Sequence, residues 1–280
     1  MPARNTYPKQ GVLGPGSLLS SPALMSSNKS PLSHPSTQVS GKPKALWVRE
    51  TRFGRWFLGT HTWYRYVLAQ AVQDFNRLLA GRLPARPRVL DAGCGQGLAF
   101  GLLETCFQPA AITGIDIDRE QINKASTVAA GMATPTTATH GNACAPVFPA
   151  ESFDLILCHQ LLHHTNQQVE ALQEFYRLLS PGGILLVGES CRTFINSIPV
   201  RLLFRHPSMA QQDAQGYIDL VRSAGFAFSA ADVQTSRPWW SRRCLGIAQK
   251  LGLGLGNTEP TEILIVARKP FAVGGENPGE

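Results

Sequence analysis

The first 44 residues contain no aspartate or glutamate, and this absence accounts for most of the chain's basic character. Five Lys/Arg fall there, whereas residues 45–280 hold 21 Lys/Arg against 19 Asp/Glu, so the formal net charge of +7 shrinks to +2 over the remainder. Basicity confined to one end argues against a nucleic-acid-binding field spread over the main domain. The same 44 residues carry seven Pro and nine Ser and no helical or strand period. A segment of that composition buries too little apolar surface to order itself, so residues 1–44 are expected to be a disordered tail. With one arginine and no amphipathic pattern, the tail does not read as a targeting peptide.

Long apolar runs are missing too. No stretch approaches the roughly 20 residues that span a bilayer, which leaves peripheral contact as the one mode of membrane association. "GVLGPGSLLSSPALM" breaks with Gly, Pro and Ser what a signal peptide would keep continuous. The six cysteines include no C-x-x-C pair and no histidine at ligand spacing. Neither a disulfide framework nor a metal site is indicated, and a reducing, cytoplasmic compartment is expected.

What is present suits one sizeable core: 280 residues with 43% hydrophobic side chains. "HTWYRYVLAQAVQDFNRLLAG" has apolar residues at helical spacing and stops at Gly81. Strand-like and helix-like stretches then alternate: "RVLDAG", "QGLAFGLLETCF", "AAITGIDID", "REQINKASTVAAGM", the short edge candidate "TATHGNA", "FDLILCH", "QQVEALQEFYRLL" closed by "SPGG", and "GILLVGES". After a break come "DAQGYIDLVRSAG", with Asp213 as its N-cap, then the strands "FAFSAADVQ" and "TEILIVARK". Such alternation predicts right-handed βαβ units and a largely parallel, doubly wound sheet.

Ligands of these sheets bind at the carboxyl ends of the strands, first of all in the first strand-to-helix turn. Here that turn is "DAGCGQG". Gly93, Gly95 and Gly97 are spaced G-x-G-x-G, unlike the dinucleotide pattern G-x-G-x-x-G, and Asp91 sits two residues ahead of the first glycine. An acid repels a pyrophosphate but favours an ammonium or a sulfonium. Asp116 ends the second strand, where a carboxylate accepts hydrogen bonds from ribose hydroxyls. The implied ligand has a ribose and a cationic end, and no phosphate.

"VLDAGCGQG", "GIDID", "GNA", "FDLILCHQLLHHT" and "LLSPGG", in that order over residues 61–269, resemble the class I S-adenosylmethionine-dependent methyltransferases of the type 11 group. The resemblance implies a Rossmann-like α/β fold with a seven-stranded sheet whose last strand, "TEILIVARK", runs antiparallel, and S-adenosylmethionine as cofactor. By that resemblance Asp91, Ala92, Gly93, Cys94, Gly95 and Gly97 pass under the cofactor. Asp116 and Ile117 serve the ribose, Asn142 and Ala143 hold the adenine, and His159 borders the site. The family commonly has Asp where this chain has Asn142, whose carboxamide oxygen can still accept a hydrogen bond, without charge assistance.

Methyl transfer asks a protein to align nucleophile, carbon and sulfur and to exclude water. His159, His163 and His164 are the candidate bases, set against a purely capping role in their turn. Glu189 is expected to face the same crevice from the end of the fifth strand, as a substrate contact or a solvated strand end. Cys158 and Cys191 read as packing residues.

Two further stretches exceed what a minimal domain needs. Residues 45–66 interleave three Trp, two Phe and two Tyr with four Arg, and "RPWWSRRCLGIAQKL" follows from 237. Within a methyltransferase domain at 45–270, the resemblance makes 45–82, 191–215 and 237–258 the substrate lid and leaves 271–280 as a flexible tail. Trp239, Trp240, Arg242 and Arg243 then form an aromatic, cationic roof for an apolar acceptor with an anionic group, small or lipid-like. Set against this are Trp and Phe as mere cover for the sheet under Arg stems, an RNA or protein acceptor, and a regulatory protein that binds the cofactor without catalysis. The chain lacks both the Asn/Asp-Pro-Pro-aromatic run of base N-methylation and the Pro-Cys of C5-methylation, which counts against nucleic acid. Oligomeric state is not legible.

Overall fold

The computed structural model describes residues 50–207, 210–241 and 259–271, with the side chain of Trp239 outside that description; all belong to the compact unit Lys44–Glu280. Seven strands form one sheet: β1 (Arg88–Ala92), β2 (Ala111–Asp116), β3 (Thr136–His140), β4 (Phe153–His159), β5 (Leu179–Ser190), β6 (Val233–Ser236) and β7 (Glu262–Arg268). Their order across the sheet is β3-β2-β1-β4-β5-β7-β6, and β7 alone runs opposite to the other six. This is the doubly wound, Rossmann-like architecture expected, with β3 on an edge.

Strand period divides the core. In β4, Leu155 and Leu157 point to one face while Ile156 and Cys158 point to the other, as successive side chains of a strand must. The helices α1 (Arg52–Leu58), α2 (His61–Trp63), α3 (Ala69–Leu79), α4 (Phe100–Phe107) and α5 (Arg119–Ala130) precede β4. The last three cover the Leu155 face with Val72, Phe75, Leu103 and Ile122. The helices α6 (Gln168–Leu178), α7 (Arg192–Ile195), α8 (Ile198–Leu203) and α9 (Ala214–Ser223) follow it, and α6 and α9 bring Leu172, Phe175 and Tyr217 to the other face. Phe75 and Phe175 are fully buried, each contributing roughly 1.5–3 kcal/mol of transfer free energy.

Local chemistry sets the boundaries. The helix expected from residue 61 is interrupted by a π-helical turn at Tyr64–Leu68 and ends at Ala80, which is itself left-handed ahead of Gly81. Asp213 caps α9 as predicted, its side chain accepting from Gly216 N at 2.8 Å. Two strands depart from expectation. β5 begins at Leu179, because Leu179 pairs with Phe153 and a register shift before Leu155 absorbs the "SPG" residues. The strand expected over 226–234 shrinks to a bridge between Ala227 and Arg268 and the later β6. There Ser229 and Asp232 form reciprocal hydrogen bonds, a capping box that turns Ala230–Asp232 into a 3₁₀ turn. Among the described residues no helix is long and apolar enough to cross a membrane.

Candidate active site

Strand order reverses between β1 and β4, and the crevice at their carboxyl ends is where such sheets receive ligands. The glycine turn lies there, its backbone tied to β2: Gly93 N and Cys94 N both donate to Ile115 O, at 2.8 and 3.0 Å. Asp116 organises the next step, accepting from Gly95 N at 2.9 Å through one oxygen and from Asp118 N at 2.8 Å through the other. Gly95 has a left-handed φ of +51°, and a Cβ built on it would meet no atom within 4 Å. Backbone therefore borders open space here.

That space is a cavity of about 1150 Å³. Asp91, Gly93, Cys94, Gly95 and Asp116 line it as expected, joined by Gln96, Asp118 and Gln121, which sequence reasoning did not single out. Two buried acceptors in this lining have no hydrogen-bond partner, Asp91 Oδ2 and Gln121 Oε1. Burial, with the nearby Asp116 charge second, pushes the Asp91 carboxyl up to about 7. A cation delivered to this position would satisfy both the orphaned oxygen and the strained ionisation.

Five residues expected at the cofactor pack beside the cavity and do not line it. Ala92 is fully buried within the sheet, paired with Ile115 and Cys158. Gly97 admits Phe100, whose ring would stand 2.7 Å from a Cβ there. Ile117 O accepts from His140 Nε2 at 3.1 Å. Asn142 Oδ1 accepts from Cys144 N at 2.9 Å, an Asx turn that employs the oxygen expected to meet adenine, and Ala143 is buried in the core.

The histidines converge on the far wall, where His159, His163 and His164 all line the cavity. His159 packs near Trp63, ring centroids 6.1 Å apart, and burial followed by the His163 charge pulls it down to about 3. His164 is likewise held well below its ordinary value, by burial and by His163 and His206. His206, beyond α8, and Glu50, ahead of α1, complete this wall; nothing in their sequence surroundings marked them. Burial raises the Glu50 carboxyl and lowers His206 to about 3.

Glu189 corrects the sequence reading. It is fully buried and does not face the crevice. Its Oε1 accepts from Leu161 N at 2.9 Å and Leu162 N at 2.7 Å, and its Oε2 lies 2.6 Å from His163 Nδ1. It thus fixes the turn that carries the histidines, since a carboxylate taken out of water must be matched by donors. Of the roof residues, Trp240 lines the cavity and meets Phe194 edge-on at 5.3 Å. Arg242 and Arg243 lie outside the described residues.

The methyltransferase domain model matches residues 90–187, the stretch from the glycine turn through β5. Across the whole sheet, the chain shares the fold of an S-adenosylmethionine-dependent methyltransferase from Mesorhizobium loti, with a TM-score of 0.51 and 18% identity over 69% of this chain and 96% of that one. The chain is a class I S-adenosylmethionine-dependent methyltransferase. In this methyltransferase the cofactor is S-adenosylmethionine, and the orphaned Asp91 oxygen and the open cradle at Gly95 fit its cationic, ribose-bearing shape.

Curated relatives are methyltransferases as well. The chain is 28% identical, over 70% of its length and 74% of the relative's, to the 27-O-demethylrifamycin SV methyltransferase of Amycolatopsis mediterranei. It is 29% identical to the ubiquinone biosynthesis O-methyltransferase of Psychrobacter cryohalolentis, over 50% of this chain and 51% of the relative. A match of 26% identity to phosphoethanolamine N-methyltransferase 3 of Arabidopsis thaliana spans 54% of this chain and only 31% of that enzyme. The [4+2]-cyclase SpnF shares the fold too, with a TM-score of 0.54 and 23% identity over 72% of this chain and 81% of that one. Fold likeness alone therefore does not name a reaction.

Proposed function

We propose that the chain methylates a small, apolar or lipid-like molecule carrying an anionic group. The observation that carries this is a continuous cavity, which runs from the glycine turn to walls built from Phe57, Trp63, Phe194, Ile198 and Phe204. At about 1150 Å³ it exceeds the roughly 300–1,000 Å³ of common ligand pockets, which leaves room for cofactor and acceptor together. Arg55 and Arg237 also line it, outside the acidic glycine turn, and suit an anionic group on the acceptor. The rifamycin and ubiquinone relatives, both named for O-methylation of small molecules, support the same class.

Bound at the glycine turn, S-adenosylmethionine supplies an electrophilic methyl group. The protein's own task is alignment and exclusion of water, for which the aromatic walls serve. His159 and His164 are uncharged and weakly basic near neutral pH, so they shape and hydrogen-bond the acceptor side better than they draw off a proton.

Incubating the enzyme and methyl-labelled cofactor with a cell extract tests the class. Label is expected in the organic-soluble fraction; label confined to RNA or protein would overturn the reading. With an acceptor in hand, Trp240→Ala should leave cofactor affinity within about twofold and lower kcat/KM at least tenfold, a loss of roughly 1.4 kcal/mol.

A further inference from the structure

Alignment of a methyl group does not explain why three imidazoles meet on the acceptor wall. His163 and His164 arrive from the 3₁₀ turn Leu162–His164, and His206 from the segment after α8. Each offers a ring nitrogen within 4.8 Å of the other two, and the ring centroids lie 4.2, 4.9 and 5.1 Å apart. Behind His163, Glu189 Oε2 accepts at 2.6 Å from Nδ1, so Nε2 is the ring nitrogen that a metal would take. A carboxylate that fixes tautomer and orientation from behind is the usual support of a metal-ligating histidine. Beside the other two rings, Glu50 Oε2 accepts from Thr51 N and Arg205 N at 3.1 and 3.3 Å. Its Oε1 stands 3.7 Å from His164 Nδ1 and 3.9 Å from His206 Nε2, too far for hydrogen bonds.

We propose that His163, His164 and His206 form a binding site for a divalent transition metal of the zinc or cobalt(II) class, with Glu189 as the positioning residue behind His163 and Glu50 beside the ion. Imidazole donors select that class over magnesium and calcium, which take oxygen ligands. Tetrahedral nitrogens at roughly 2.0–2.1 Å from such an ion lie about 3.4 Å apart, so the widest pair here closes by roughly 1.4 Å. Three protein ligands leave a fourth position, and all three rings line the cavity, so that position opens to the acceptor. There the ion would hold and polarise an acceptor oxygen. This role rests on the small-molecule reading above, whereas the binding of the ion does not.

The full chain, freed of any affinity tag and stripped with a chelator, is titrated with Co²⁺ while visible d–d absorption is followed, and bound metal is counted by elemental analysis. One ion per chain is expected, with affinity lowered at least tenfold by His206→Ala and by His164→Ala. Calorimetry with S-adenosylmethionine serves as the check that both variants are folded, and its affinity should stay within twofold. No binding to the wild type, or binding that folded variants retain undiminished, overturns the site. If cobalt binds as expected but no apolar acceptor is methylated, the metal site stands and the acceptor reading falls.

Discussion

Asp91 shows how one side chain can record an absent partner. It sits at the end of β1, its Oδ2 is buried without a hydrogen bond, and Asp116 and the thiols of Cys94 and Cys158 face it with no cation among them. With its carboxyl at about 7, a ligand cation favours the ionised form, so below that pH binding must release a proton. Cofactor affinity should then fall by up to tenfold per pH unit below 7 and level off above 8. Calorimetry between pH 6 and 8, in buffers of different ionisation enthalpy, reads both the affinity and the released proton. Asp91→Asn should bind more weakly with a flatter profile, and a flat wild-type profile would contradict the assignment. At Gly95, the open space beside a left-handed backbone means that Gly95→Arg should abolish cofactor binding.

At the scale of elements, what matters is how each terminus is held. α9 begins where Asp213 accepts from Gly216 N, and its Tyr217 and Val221 fill the face of the sheet opposite α3. Asp213→Ala should cost about 1 kcal/mol through loss of the cap, while Asp213→Asn should retain most of it. Thermal unfolding checks this, with an expected drop of roughly 2–4 °C for the alanine variant. The 3₁₀ turn after β4 is held from a different element, by Glu189 of β5. Its histidines therefore owe their placement to strand pairing as much as to their own sequence.

Over the whole molecule, one cavity joins the glycine turn, the π-helical region before α3, and α7 and α8. A ligand held by so many elements in the native state, and by none of them once unfolded, stabilises by mass action. Cofactor at a hundred times its dissociation constant should add about 2.7 kcal/mol, or roughly 5–11 °C in Tm for a chain of this size. Differential scanning fluorimetry with and without S-adenosylmethionine reads the shift, and Gly95→Arg should remove it.

The amino-acid sequence alone determined the alternation of strands and helices, the glycine turn with Asp91 and Asp116, and the reversed last strand through its family resemblance. Those features are local: apolar period, turn glycines and acids at strand ends act over a few residues and leave a pattern along the chain. Tertiary structure decided the rest. Glu189 reads as a strand-end acid open to the crevice, yet packing of the turn over β5 buries it and makes it a bracket for His163. Gln121 gives no sign of a ligand until α5 lies along the cavity, and Asn142 turns its oxygen to its own backbone. Glu50 and His206 reach His164 across more than a hundred and across some forty residues of chain, respectively, which no spacing rule spans. Proximity of that kind is set by the order in which strands pair, not by the order in which residues are joined.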